Sequence, residues 1–317
     1  MEFVCKKTMM LSDEEFLQIT SLFNEVFEKN VTVEHFRQLY TNNPLGYSYH
    51  SMMKVDGVVV GLNSYNLAYY MVEGVKHVFA NSITTMTHKK HRDFFNFYEI
   101  VTKAYEVMEA DGVSFVFGYP NDNSYPVLKK SKLMKEIGRM DTYCLPIRIG
   151  GIKPSMRLLN PFSMVFSWLS IYTQRLWATS SVEERFIHKE EKSFNETRYN
   201  DPSVGYKTVC ENGVWFSYAT QVYEGIRTTF LIDVLPKSTR NFNTAVKYIY
   251  QNHSTETDLI LYVGNIKCSG TGLIKIPRKY EPKRFNFMGK ALDKKSLPKS
   301  IWEVYSWDTN LSNYDLI

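Results

Sequence analysis

The residues best suited to chemistry in this 317-residue chain stand close together, in Asn81-Ser-Ile-Thr-Thr-Met-Thr-His-Lys-Lys-His-Arg-Asp-Phe-Phe-Asn96. The run reads as a strand entering a helix. A helix start presents unpaired backbone N–H groups and a positive dipole end, and both favour a bound phosphate. Arg92, just ahead of that helix, adds a charge-assisted donor; elsewhere such an arginine would be plain solvated surface. His88 and His91 stand at a ligand-like spacing, but Lys89, Lys90 and Arg92 surround them and oppose a divalent cation. No cysteine or carboxylate cluster completes a site, so no metal is expected. A second polar stretch, Asn121, Asn123 and Ser124, fits a binding turn or a simple helix cap equally well. Tyr47 and Tyr49 fit an acceptor cleft or the core. Asn81 and Ser82 fit a reacting cleft or plain satisfaction of neighbouring strands.

The flanking sequence says what positions these groups. Ser12 and Glu15 make a capping-box pattern, followed by Phe16, Ile19, Leu22, Phe23, Val26 and Phe27 at helical spacing. A short second helix opens at Thr32. Asp56-Gly57 and Glu73-Gly74 are hairpin turns joining strands 48–55, 58–71 and 75–87. A helix from about Phe95 stops at Asp111-Gly112, a short apolar strand covers Val113–Tyr119, and a helix opens near Asn123 or Ser124.

The second half echoes the first. Tyr199, Gly205 and Tyr206 follow Tyr40, Gly46 and Tyr47 at a constant offset of 159 residues. Asn212-Gly213 and Glu224-Gly225 parallel the two earlier turns. Strands at Thr228–Val234 and Asp258–Val263 flank a helix at Asn243–Gln251. This reads as a degenerate duplication. The expected class is α+β (mixed α/β), with domains at 1–145 and 191–317 joined by a helical linker at 146–190.

Composition narrows the function. Net charge is +5 with scattered cations, which gives no nucleic-acid footprint but suits small anionic ligands. Four cysteines without a CxxC pair read as reduced cytoplasmic thiols, and the first residues, from Met1 to Lys7, do not read as a signal peptide. Residues 161–178 are too polar and short to span a bilayer. They read as a helix packed between domains, with a helix lying on a membrane surface as the alternative.

With Thr87-His88 followed by Arg92, and with Gly118-Tyr119-Pro120-Asn121-Asp122-Asn123-Ser124-Tyr125, the chain resembles the GNAT superfamily, especially tandem members from bacterial surface-polysaccharide gene sets. The likeness covers Leu11 to Ile137 well and the second half more weakly. The segment from Trp302 to Asp315 is similar to the family's C-terminus. Departures are Lys89 for a proline and Asp93 and Phe95 for two glycines of the pyrophosphate loop, and Leu128 stands where the superfamily often has an acid tyrosine.

The resemblance implies two splayed strands with pantetheine between them, beside Thr84, Thr85 and Met86. It implies pyrophosphate near His88, Arg92 and the backbone of Asp93, Phe94, Phe95, Asn96 and Phe97, with Asn121, Asn123 and Ser124 completing the cofactor site. Acyl-CoA, carrying acetyl or a longer hydroxyacyl group, would be the co-substrate, held by the first half only. The acceptor would be the amine of a nucleotide-linked, dTDP-type amino sugar, attacking directly. Asn81 or Thr84 would orient the amine or a water, and Tyr47, Ser82 and Tyr119 would face the acceptor. Strand alternation puts Asn81, Ile83 and Thr85 on one face and Ser82, Thr84 and Met86 on the other. Other readings are an aminoacyl transferase of cell-wall precursors and a non-catalytic scaffold without CoA.

Overall fold

Local signals set the first elements. Ser12 Oγ accepts from the Glu15 amide at 3.1 Å and the Glu15 carboxylate accepts from the Ser12 amide at 2.9 Å, so the capping box is closed both ways. In all four hairpin turns both central residues have positive φ, near 50° at Asp56, Glu73, Asn212 and Glu224 and 75–84° at the glycine that follows. That geometry matches the twist of the flanking strands and favours Asp or Asn followed by Gly, and Glu73 and Glu224 adopt it as well.

The computed structural model describes residues 1–199, 205–281 and 283–314. The chain runs β1 (Glu2–Lys7), α1 (Asp13–Phe27), α2 (Val33–Thr41), β2 (Ser48–Val55), β3 (Val58–Val72), β4 (Val75–Thr87), α3 (Phe94–Ala110), β5 (Phe115–Gly118), α4 (Ser124–Lys130) and β6 (Lys135–Arg139). It continues through β7 (Asp141–Pro146), α5 (Ile149–Ile152), α6 (Asn160–Gln174), β8 (Ile187–Lys189), α7 (Glu191–Arg198), β9 (Lys207–Glu211) and β10 (Val214–Tyr223). It ends with β11 (Ile226–Leu235), α8 (Thr239–His253), β12 (Leu259–Gly264), β13 (Ile274–Lys275) and β14 (Asn286–Ala291).

Two mostly antiparallel sheets result, each flanked by helices. One has the order β1-β2-β3-β4-β5-β14-β6 with β8 beside β3, and the other β13-β7-β12-β11-β10-β9. Within them the run β9-β10-β11-β12 repeats β2-β3-β4-β5, including a parallel last pair in each. The part of the Tyr–Gly–Tyr echo at 200–204 lies outside the described residues, as does Asp315 of the closing segment.

Contacts divide the chain differently from the contiguous domains expected. One unit is Met1–Arg139, Phe186–Arg198 and Phe285–Trp307, and the other Met140–Arg185, Tyr199–Arg284 and Asp308–Ile317. The cause is strand pairing. β7 follows β6 directly in sequence yet pairs with β12, while β14 lies between β5 and β6.

Each unit has its own core. In the first, α1 and α2 cover one stretch of sheet through Phe16, Ile19, Phe36, Tyr40, Met52, Leu62 and Met86. α3 and α4 cover the opposite face through Val101, Ala104, Met108 and Leu128 against Tyr65, Leu67, Ala80 and Val116. In the second, Phe242, Ala245, Val246 and Ile249 of α8 and Ile171 of α6 pack on Leu145, Phe216, Leu231 and Ile260. The segment 161–178, expected as a helix packed between domains, forms most of α6 and the turn after it, and packs on this core through one face only. α6 buries Ser163, Ser167, Ser170 and Ile171 and turns its large apolar residues outward. Backbone carbonyls beneath it need donors, and serine hydroxyls supply them. Among the described residues no helix is long and apolar enough to cross a membrane. All four cysteines are free.

Candidate functional site

β4 and β5 pair in parallel from Phe79–Phe115 to Ser82–Gly118, and there the pairing stops. A side chain at Gly118 would meet Ser82 Cβ at 3.2 Å, so the strands touch closely just where they part. Beyond that point Thr85–Thr87 pair with β3, and among the described residues no strand pairs with the other edge of β4, which leaves backbone donors and acceptors there for a ligand.

β4 also carries a bulge. Asn63 pairs with Thr85 and Tyr65 with Ser82, so Ile83 and Thr84 stand opposite the single residue Ser64. An extra residue shifts the side-chain phase. The simple alternation expected for this strand is therefore wrong. Ser82 Oγ and Thr85 Oγ1 both donate to Asn63 Oδ1 at 3.0 Å, which puts them on one face. Ile83 and Met86 pack on the opposite face, against the α1 and α2 cluster. Asn63 Nδ2 in turn donates to the Tyr65 hydroxyl at 2.7 Å, and burial raises the phenol well above its ordinary range. The sequence reading missed Asn63 and Tyr65. The available signal was the polar run Asn63-Ser64-Tyr65-Asn66 between apolar stretches of β3.

The loop after β4 is cationic. Arg92 Nε donates to the Thr87 carbonyl at 2.8 Å, which ties the exposed guanidinium to the end of the open strand. Lys89 and Lys90 are exposed beside it. His88 is turned away, with Nε2 3.0 Å from Glu25 Oε1, so its ring serves α1 rather than the cleft. Among the described residues no cluster of three metal-ligating side chains is present.

Asp93 changes the expected phosphate cradle. It is the N-cap of α3, and its Oδ1 accepts from the Asn96 amide at 2.9 Å. The Phe97 amide is bound by the Asp93 carbonyl at 3.3 Å, and the Asn96 side chain donates to the His91 carbonyl at 3.0 Å. Of the expected helix-start amides, those of Phe94 and Phe95 remain for a ligand, and their rings are exposed. The residues present thus fit a pantetheine arm along β4 and phosphate beside Arg92, Lys89 and Lys90, with the helix end shared by a carboxylate.

The other expected residues fall in three places. Thr84 is buried in the bulge, and Asn81 and Tyr119 stand near the parting of the strands, with the Tyr119 ring stacked on Phe287 at 5.1 Å. Asn121 Oδ1 accepts from the amides of Asn123 and Ser124 at 3.0 Å, so these three residues build the turn into α4. Tyr47 is not at the cleft. It packs on Tyr49, whose hydroxyl donates to Asp111 at the far end of α3. Leu128 lies in the core, where it has no proton to give.

The second unit has the same parting strands with a different filling. β11 and β12 pair in parallel from Thr228–Leu259 to Phe230–Leu261, and β11 carries an extra residue at Ile232. The gap is occupied by the chain itself. Gly264 bridges to Asn310, and Asn310 Nδ2 donates to Asp233 Oδ1 at 2.9 Å. Buried Lys237 is held between Asp233 at 2.5 Å and Asp308 at 2.8 Å.

The chain carries the fold of GCN5-related N-acetyltransferases of known structure. It is similar to a probable N-acyltransferase from Enterococcus faecalis, with 12% identity and a TM-score of 0.60 over 92% of this chain and 73% of that one. It is similar also to a GCN5-related N-acetyltransferase from Anabaena variabilis, at 10% identity and a TM-score of 0.58 over 91% and 73%. A third, from Kribbella flavida, gives 8% identity and a TM-score of 0.58 over 92% and 72%. No protein-family model and no curated protein matches the sequence. At these identities the likeness is one of fold.

Proposed function

We propose that the chain is an acyltransferase that takes an acyl group from acyl-CoA, held by the first unit, and moves it to the amine of a nucleotide-linked amino sugar in the cytoplasm. The observation that carries this reading is the open edge of β4 at Ile83–Thr87, which ends on the Arg92 loop. Acyl-CoA would supply a thioester-activated acyl group. Backbone groups of the open edge would hold the pantetheine amides, and Arg92, Lys89 and Lys90 the phosphates. A backbone N–H beside the bulge would polarise the thioester carbonyl.

Asn63, Ser82, Thr85 and Tyr65 supply hydroxyl and amide groups and no carboxylate or imidazole. They suit orientation of an uncharged amine or a water rather than proton removal by a strong base. Tyr119 would contact the sugar. The second unit would take no CoA, because its gap is filled and its Lys237–Asp233–Asp308 group carries excess negative charge against phosphate.

The Asp93 carboxylate is the one observation favouring a scaffold without CoA. A thermal-shift titration separates the readings. A ligand at a hundredfold excess over its Kd stabilises the fold by roughly 2.7 kcal/mol. The expected result is a midpoint that rises with CoA, followed by acyl transfer in a panel of amino-sugar nucleotides. Arg92→Ala is expected to raise the KM for acyl-CoA about tenfold, the loss of one charge-assisted contact. No shift with CoA and no turnover would leave the scaffold.

A further inference from the structure

α6 docks with its small polar residues and shows its large apolar ones. Ser163, Ser167 and Ser170 are buried and donate to the carbonyls of Ile147, Pro146 and Gly272 at 2.9, 2.9 and 3.0 Å. On the outer side Phe162 is 73% exposed and Val165 57%, joined by Phe166, Trp168 and Leu169, with Leu176 and Trp177 just beyond. An apolar stripe of this size facing water marks an interaction surface. Its length and polar back exclude a span, and a helix of this kind suits the plane of a bilayer interface, with tryptophans at headgroup depth.

The charge around the stripe is mostly positive. From Thr142 to Val182 the chain contains no Asp or Glu. Arg148 is paired with Asp258 at 2.9 Å, while Lys153 and Arg157 are exposed with no carboxylate partner among the described residues. At the other end of α6, Arg175, Arg240 and Lys247 line a cavity of about 350 Å³ with Tyr172 and Tyr248. Arg175 Nη1 donates to the Arg240 carbonyl at 3.0 Å and to Thr244 Oγ1 at 3.1 Å, not to an acid. Glu211, also in the wall, accepts from the Asn212 side chain. Burial and the neighbouring Arg240 both disfavour the charged form of Arg175. Three cations against the single acid Glu211 leave the wall with excess positive charge, a cost that a bound anion reduces.

We propose that α6 seats the protein on an anionic phospholipid surface, with its apolar face in the acyl boundary and a lipid phosphate in the Arg175–Arg240–Lys247 cavity. A second copy of the chain fits this face poorly. A two-fold contact through α6 would set Lys153, Arg157 and Arg175 of both copies together with no acid between Thr142 and Val182 to answer them, and like charges facing one another oppose association. A phosphate surface answers them all. This inference is independent of the acyl-transfer reading.

The test is flotation of the full chain with vesicles of phosphatidylcholine alone and of phosphatidylcholine with phosphatidylglycerol. Binding is expected on the anionic vesicles only, and weaker in high salt. Phe166→Ser with Trp168→Ser should abolish it, and Arg240→Gln and Lys247→Gln should each weaken it about fivefold. Circular dichroism checks that each variant is folded. For the wild-type chain, tryptophan emission should shift to the blue on anionic vesicles and be quenched by brominated lipid, a reading that needs no variant. Absence of flotation, or equal binding to both vesicle types, would overturn the proposal. So would a dimer in sedimentation that the Phe166→Ser, Trp168→Ser variant dissociates, because the face would then belong to a second copy.

Discussion

At the scale of single residues, Asp93 combines two opposed effects. It stabilises α3 by capping the Asn96 amide, a contact of about 1 kcal/mol, and it sets a negative charge where a phosphate would approach. Asn caps as well as Asp and carries no charge. Asp93→Asn is therefore expected to keep the unfolding midpoint and to lower the KM for acyl-CoA about fivefold, as steady-state kinetics would read it. His50 sets acid sensitivity. It is buried between Thr8 Oγ1 at 2.9 Å and Ser64 Oγ at 3.0 Å, and burial pushes its pKa down to about 3, against a small opposing pull from Glu15. The unfolded chain takes up that proton first, near pH 6.5. Stability should thus fall by up to about 1.4 kcal/mol per pH unit from pH 6.5 toward 3. Glu15 adds to this lower down. Burial pushes its carboxyl up, but Lys54 and Lys6 outweigh that and bring it to about 2, so its support is present above pH 4.5 and lost as pH falls through 2. Urea unfolding across pH would show both, and His50→Gln should flatten the part above pH 4.5.

At the scale of elements, the bulge in β4 decides which side chains meet. Strict alternation separates Ser82 from Thr85, whereas the bulged strand brings both hydroxyls to one Asn63 oxygen. A double-mutant cycle with Ser82→Ala and Thr85→Ala reads this directly. Residues that share a partner are expected to couple by about 0.5–1 kcal/mol in stability, and residues on opposite faces not at all. α6 teaches the same lesson for helices. Its sequence shows an apolar stretch interrupted by polar residues, but that does not say which face looks inward. The carbonyls of Pro146, Ile147 and Gly272 settled that in favour of the serines.

At the scale of the molecule, two copies of one strand pattern have different contents. Both third strands bulge and then part from a parallel fourth, but only the second gap is filled by the chain's own Asp308–Asn310 and a buried lysine. That lysine holds two buried carboxylates, and removing one partner of a buried ion pair costs about 3–5 kcal/mol. Lys237→Met is expected to lower stability by that amount in chemical denaturation. If the first unit alone binds acyl-CoA, the variant that stays folded should still bind one acyl-CoA per chain in calorimetry.

The sequence by itself determined what depends on neighbours along the chain. The capping box at Ser12 and Glu15, the four turns with positive φ, and the order of strands and helices in the two halves all rest on contacts a few residues long. It also marked the stretch from Asn81 to Asn96, because strand end and helix start are local events. Only the tertiary structure decided what depends on partners far away in sequence. The exchange of β7 and β14 between sheets, the meeting of Asn63 with Ser82 and Thr85, and the removal of Tyr47 from the cleft all follow from pairing across tens of residues or more. Such pairing is selected by hydrogen-bond satisfaction and packing over the whole sheet, which no short window of sequence contains.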